Sequence, residues 1–197
     1  YLREIEDNSF KWRLDYISTF LARDLPLLAE NRLSDEQLRR FFQMLAHHHG
    51  QNWNHSETAR TIGVSYKAVQ RYVDLFKGAF LLRELPPYFV NTGRRLRKAP
   101  KLYLRDSGIL HALLMLRDFP QLQSHPRFGA SWEGFCLEHV IRLTQAHDEQ
   151  CFTWSVQGGA EVDLVLTRPA GVFGFEFKAG DAPRKTASMV AAVDDLK

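Results

Sequence analysis

The chain has 197 residues, 45% apolar and 25% charged, with a net charge of +3; that is enough for one domain or two small ones with real cores. No run of about 18 apolar residues occurs, which excludes a membrane-spanning helix, and the opening YLREIEDNSF lacks the charged-then-apolar pattern of a signal peptide. Cys136 and Cys151 have no metal-binding spacing and fit a reducing, cytoplasmic setting.

Residues 8–30 read as a helix, with Trp12, Tyr16, Ile17, Phe20 and Leu21 at helical spacing. The next unit, NRLSDEQLRRFFQMLAHHHG, has Ser34 or Asp35 as its N-cap, an apolar stripe of Leu38, Phe41, Phe42 and Leu45, and Gly50 as its stop. His47–His49 are expected to form a polar helix end rather than a metal site, because consecutive helical side chains point about 100° apart. Helices follow at 55–62 and 66–77. In SETARTIGVSYKAVQRYVDLF, Ala59 is small where two helices meet, Gly63 supplies the positive φ of a tight turn, and Val69 packs back with Ile62 and Val64. Ser65 caps the second helix. That is a helix-turn-helix pattern.

AFLLRELPPYFV then reads as strand, Pro-Pro break and strand, with a basic stretch behind it. From Asn91 to Lys101 there are five basic residues, Arg94, Arg95, Arg97, Lys98 and Lys101, and no acid. Two strands around a basic loop turn the pattern into a winged helix, expected over 34–119 after a helical linker at 1–33. If this unit binds DNA, its second helix offers Tyr66, Lys67, Gln70 and Arg71 to the groove, and Arg94, Arg95, Arg97 and Lys98 meet phosphates. The alternative is a protein-docking spacer whose basic loop is merely solvated.

KLYLRDSGILHALLML gives a short strand, an Asp106 cap and a helix, and 120–129 reads as loop. Beyond it come a helix at 131–147, strands at 151–157, 160–167 and 172–178, and a helix at 183–197. Trp12, Trp53, Trp132, Trp154 and Cys136 are expected in packing roles.

The last two strands form a hairpin around RPAG. In the register that keeps one face apolar, Thr167 faces Val172, Asp163 faces Glu176, and Glu161 faces Lys178. Phe173, Phe175 and Phe177 then share a face with Val162, Leu164 and Leu166, and the acids share the other. Two opposed carboxylates destabilise a sheet by up to about 1 kcal/mol, so a cation is expected beside them. In GASWEGFCLEHVIRLT, Glu133 lies on the apolar face with Leu137, Val140 and Ile141 and needs a partner. Glu138 falls with Arg142 and Gln145 on what reads as the solvated side. From these residues alone, either the acids hold a divalent ion, or Glu161 pairs with Lys178 while Asp163 and Glu176 are partly solvated.

A helical Glu133, a strand Asp163 and the EFK of Glu176, Phe177 and Lys178 resemble the PD-(D/E)XK nuclease superfamily. That resemblance implies a mixed α/β, restriction-endonuclease-like domain over 127–197. It also implies that Asp163, Glu176 and the Phe177 carbonyl hold Mg²⁺ or Mn²⁺, with Glu133 in support. Lys178 would orient or deprotonate the attacking water, and Glu161 would replace a ligand or pair with Lys178.

The order of YISTFLARDLPLL, the helix-turn-helix, LPPYFVNTGRRLRKAPKLYLRDSGILHALL, FGASWEGFCLEHVI and GGAEVDLVL…FEFKAG is similar to the C-terminal half of prokaryotic AAA-type ATPases that end in domain of unknown function 4143. This resemblance implies a P-loop ATPase domain as a partner. No Walker A string is present: GDAPRKT at Gly180–Thr186 lacks the second glycine before its lysine, so no nucleotide site is expected. It is expected to open the last helix, with Pro183 in the first turn. The nuclease-like core should have one more strand after Lys197, so a truncated fragment with an open sheet edge, able to form homo-oligomers, is expected. The functional expectation is Mg²⁺-dependent phosphodiester hydrolysis on DNA. The alternative is a non-catalytic nucleic-acid-binding, partner-binding or regulatory module with a degenerate nuclease fold.

Overall fold

The computed structural model describes residues 6–25, 34–89, 99–156, 159–180 and 184–196, and the fold is mixed α/β. No described helix is long and apolar enough to cross a membrane.

Helix α1 (Glu6–Thr19) continues into a π-helical turn, Phe20–Asp24. It buries Phe10, Ile17, Phe20 and Leu21, but Trp12 is 63% exposed and stacks on Tyr16 rather than entering a core. Helix α2 (Asp35–His47) starts at Ser34, whose hydroxyl accepts from Gln37 N while the Gln37 side chain accepts from Ser34 N, a reciprocal cap. Leu38, Phe41, Phe42 and Leu45 are buried as the 3.6 period requires. After β1 (Gln51–Asn52), α3 (His55–Ile62) and α4 (Tyr66–Gly78) meet at a turn in which Gly63 takes φ 72°. Ala59, Ile62 and Val69 are buried between them, and Ser65 accepts from Ala68 N at the start of α4.

Strands β2 (Leu82–Leu85) and β3 (Lys101–Leu104) complete an antiparallel sheet in the order β1–β3–β2, with Leu82 opposite Leu104 and Leu85 opposite Lys101. Helix α5 (Ser107–Leu113) is capped by Asp106, which accepts from Ile109 N at 2.7 Å. A short helix, α6 (Phe119–Ser124), replaces part of the loop expected at 120–129. Asp118 caps it, and Pro120 sits in its first turn, where a missing N–H costs nothing.

The second unit comprises α7 (Phe128–Leu143), a 3₁₀ turn at Asp148–Gln150, β4 (Cys151–Ser155), β5 (Glu161–Arg168), β6 (Gly171–Phe175) and α8 (Ala187–Asp195). Its antiparallel sheet runs β4–β5–β6. The hairpin register is the expected one, with Thr167 opposite Val172, Leu166 opposite Phe173 and Leu164 opposite Phe175. Helix α8 begins at Ala187, later than expected, because Thr186 caps it by accepting from Met189 N. Pro183 lies outside the described residues.

Two features join the units. Residues after β2 run beside β4, with Tyr88 N donating to Thr153 O at 2.7 Å and Thr153 N to Pro86 O at 2.9 Å. Leu85 and Tyr103 also leave the first sheet to pack with Leu137, Ile141, Leu164 and Leu166 of the second unit. Trp53 and Trp154 are buried as expected, whereas Trp132 is 40% exposed on α7 and stacks on Phe135.

Candidate functional site

The site lies where β3, α7 and β5 converge, and close packing at a glycine brings them together. Gly134 on α7 sits against His49 and Tyr103: a Cβ there would stand 2.8 Å from His49 Cε1 and 3.4 Å from a Tyr103 ring carbon. Glycine costs an exposed helix about 1 kcal/mol relative to alanine, and here the cost is offset by that approach. His49, at the end of α2, is buried; its Nδ1 accepts from Leu104 N at 3.0 Å and its Nε2 bonds the Ala130 carbonyl at 3.1 Å. Burial pushes its pKa down to about 4, which keeps the ring neutral and able to do both. HHHG is therefore not simply a polar helix end, since its third histidine seats α7.

With α7 so placed, Glu133 faces β3, one turn before Leu137 on the same side of the helix, as its spacing required. Its Oε1 accepts from the Tyr103 hydroxyl at 2.5 Å and lies 3.3 Å from Lys101 Nζ. Lys101 is 4% exposed and its ammonium also contacts Glu161 and stands 3.8 Å from Asp163 Oδ1. One lysine thus draws together three carboxylates that sequence reasoning had assigned to a divalent ion or to Lys178. Burial works against the ammonium, but Glu133, Glu161 and Asp163 outweigh it and its pKa is raised, so it stays charged. Tyr103 is held protonated, first by burial and then by Glu133.

A β-bulge puts the two strand acids on this side. Phe152 opposes Val165 and Trp154 opposes Val162, so β5 advances three residues where β4 advances two. The extra residue at Asp163–Leu164 reverses the alternation below it. Val162 consequently packs with Trp154 and Val165, not with Leu164 and Leu166 as a regular strand would have it. Glu161 is turned to Lys101 instead of sharing a face with Lys178. Asp163 is 6% exposed, and its Oδ2 accepts from Phe177 N at 2.8 Å. That side-chain bond replaces the next rung of the ladder, and β6 ends at Phe175 rather than 178. Burial, then the neighbouring Glu133, raise the Asp163 pKa to about 6, against the opposing effects of Phe177 N–H, Lys101 and Lys178.

Glu176 and Lys178 form a separate pair. Lys178 Nζ lies 2.9 Å from Glu176 Oε1, and Thr186 donates to Glu176 Oε2 at 2.7 Å. Lys178 is half exposed, and its hydrogen bond to Glu176 raises its pKa. With Lys101 in place, no three His, Cys, Asp or Glu side chains among the described residues are gathered to hold one ion. The donors do not fit the Mg²⁺ or Mn²⁺ site that the resemblance implies. Glu133, Glu161 and Asp163 converge on Lys101, while Glu176 turns to Thr186 and Lys178.

A second ion-pair cluster, around the buried Arg83, lies on the same boundary. Arg83 of β2, 4% exposed, reaches both oxygens of Glu138 and Oδ1 of Asp148 at 2.6 Å; Arg105 Nε stands 3.3 Å from Glu138 Oε2. Glu138 is therefore not on a solvated face, and its partners come from the other unit. Sequence reasoning missed Lys101, Tyr103 and Arg83. The signal was present: Arg83 interrupts the apolar run of FLLREL and Lys101 opens the apolar strand KLYL, and a charge in an apolar strand needs a buried partner.

On the first unit, Lys67, Gln70 and Arg71 are exposed along one side of α4, beside the half-exposed Tyr66. Arg94, Arg95, Arg97 and Lys98 lie outside the described residues.

Residues 1–119 match the model of a domain of unknown function, DUF8612. The chain belongs to that family. Residues 128–197 match a second domain of unknown function, DUF4143. The resemblance to 4143 thus holds for the second unit, while the helices and first sheet fall under a different description. Relatives include the uncharacterized proteins Mb2031c of Mycobacterium bovis and Rv2008c of Mycobacterium tuberculosis. Each is 40% identical over 191 residues, which is 97% of this chain and 43% of the relative. The chain therefore spans less than half the length of the curated relatives it matches. No solved structure matches it.

Proposed function

We propose that this chain is a non-catalytic nucleic-acid-binding module, in which a winged helix contacts duplex DNA and a PD-(D/E)XK-like unit serves as its scaffold. The observation that carries the reading is the exposed row Lys67, Gln70 and Arg71 on α4, the second helix after the Gly63 turn. Residues three and four apart share a helix face, so two cations and an amide project together from the helix that docks in a major groove in such units. The antiparallel β2–β3 pair that follows α4 in the chain supports this reading as a candidate wing, and the basic stretch Arg94–Lys98 joins its two strands in the sequence. The second unit supports the scaffold role because its acids are engaged by side chains of this chain: Lys101, Lys178 and Thr186.

Duplex DNA should shift in a gel at about 50 mM salt, where phosphate contacts are strong. Replacing Lys67 and Arg71 together by alanine should weaken binding and lower the salt slope by about two. The absence of any shift at that salt would sink the reading, and Mg²⁺-dependent cleavage lost in Lys178→Ala would replace the scaffold with a nuclease.

A further inference from the structure

We propose that Lys101 is the resident cation of the Glu133–Glu161–Asp163 cluster and occupies the position that a divalent metal would need. The inference concerns the boundary between the two units and does not depend on DNA binding by the first.

Geometry carries it. The Lys101 side chain is 5% exposed, and its ammonium contacts Glu161, stands 3.3 Å from Glu133 and 3.8 Å from Asp163. An ammonium brings one charge and three hydrogen-bond donors; Glu133 and Glu161 accept from it, and Asp163 stands in ion-pair range. The backbone offers little room for retreat. Lys101 is held in β3 between Asn52 of β1 and Leu85 of β2, and Trp53 N donates to the Pro100 carbonyl just before it. Tyr103, two residues along the same strand, donates to Glu133 as well, so β3 supplies both partners of that carboxylate. The remaining Asp163 oxygen accepts from Phe177 N. The cluster is thus closed from within by side chains and one backbone amide. A divalent ion placed among these oxygens would stand within a few ångströms of a fixed positive charge, which opposes binding strongly at low effective dielectric.

The consequence is a site that substitution can uncover. Lys101→Met keeps the length and apolar stem of the side chain and removes its charge. Titrated with Mn²⁺ in a calorimeter, the full wild-type chain should show no saturable binding at millimolar metal. The folded Lys101→Met chain should bind at least about tenfold more tightly. That gain should vanish when Asp163→Asn is added and should not appear in Lys101→Arg. Equal binding by wild type and Lys101→Met would overturn the proposal, because Lys101 would then not compete. So would the absence of binding in a folded Lys101→Met chain, because the cluster would then hold no place for an ion.

Amine labelling of the wild type gives an independent answer should Lys101→Met fail to fold. Acetylation followed by mass spectrometry should modify exposed Lys67 readily and leave Lys101 protected, with or without Mn²⁺. Labelling of Lys101 at the rate of Lys67, or its exposure when Mn²⁺ is added, would overturn the assignment.

Discussion

Two buried cations cross from the first sheet into the second unit, and their surroundings are neutralised to different degrees. Arg83 and Arg105 face Glu138 and Asp148, two cations for two carboxylates, and the guanidinium fork of Arg83 spans both oxygens of Glu138. Lys101 is the cation in contact with Glu133, Glu161 and Asp163, while Lys178 is paired with Glu176 and acts on Asp163 from farther off. The first cluster is a balanced fastening. The second keeps an excess of negative charge, and at Asp163 the neighbouring Glu133 adds to burial, the larger cause, in raising the pKa to about 6. Where a fold leaves acids in surplus around a single cation, that cation is the residue to test.

The largest effect should come from breaking the balanced cluster. Arg83→Met leaves Glu138 buried with only Arg105 and should cost about 3–5 kcal/mol, measured by urea unfolding at neutral pH. A loss under about 1 kcal/mol would mean that the Arg83 cluster does little to hold the two units together.

A second comparison sets Asp163 against His49. The Asp163 pKa is raised from 3.8 to about 6, so the stability it contributes is full below pH 4 and lost as pH rises through 6. The His49 pKa is lowered from 6.5 to about 4, so its contribution is full above pH 6.5 and lost as pH falls through 4. Each amounts to about 3 kcal/mol, and in wild type they offset one another across this window. Asp163→Asn, which can still accept from Phe177 N, should uncover the histidine: stability should fall by about 3 kcal/mol on acidification from pH 6.5 to 4. His49→Gln should reverse the slope. Identical pH profiles for the two variants would contradict both assignments.

The smallest effect expected is at the seat of α7. Gly134→Ala drives a methyl into the His49 ring and should cost about 1–3 kcal/mol while leaving helix content unchanged by circular dichroism.

Much of this architecture was legible because it is local. The Ser34 and Ser65 caps, the Gly63 turn and the Leu38–Phe41–Phe42–Leu45 stripe all follow from neighbours a few residues apart. So does the hairpin register, since a turn centred on Pro169 and Ala170 gathers Leu164, Leu166 and Phe175 on one side, and a slip of one residue would not. The bulge at Asp163–Leu164 was not legible, because it is set by pairing with β4 and leaves no mark in the β5 sequence. The partners of Glu133, Glu138 and Glu161 were missed for a related reason. They stand 32, 55 and 60 residues away, and a charge demands a partner without saying which. Reading Glu133 as needing a partner was sound; Lys101, counted with the basic stretch before it, supplied that partner from a buried strand.

The most direct test of the whole account is duplex binding by fluorescence anisotropy, at low salt and matched ionic strength, in EDTA and in millimolar Mg²⁺. The proposed winged helix on a scaffold closed by Lys101 predicts equal affinity in the two buffers and an intact duplex afterwards. Binding that requires Mg²⁺, or a cleaved duplex, would contradict it and return the carboxylates to a metal.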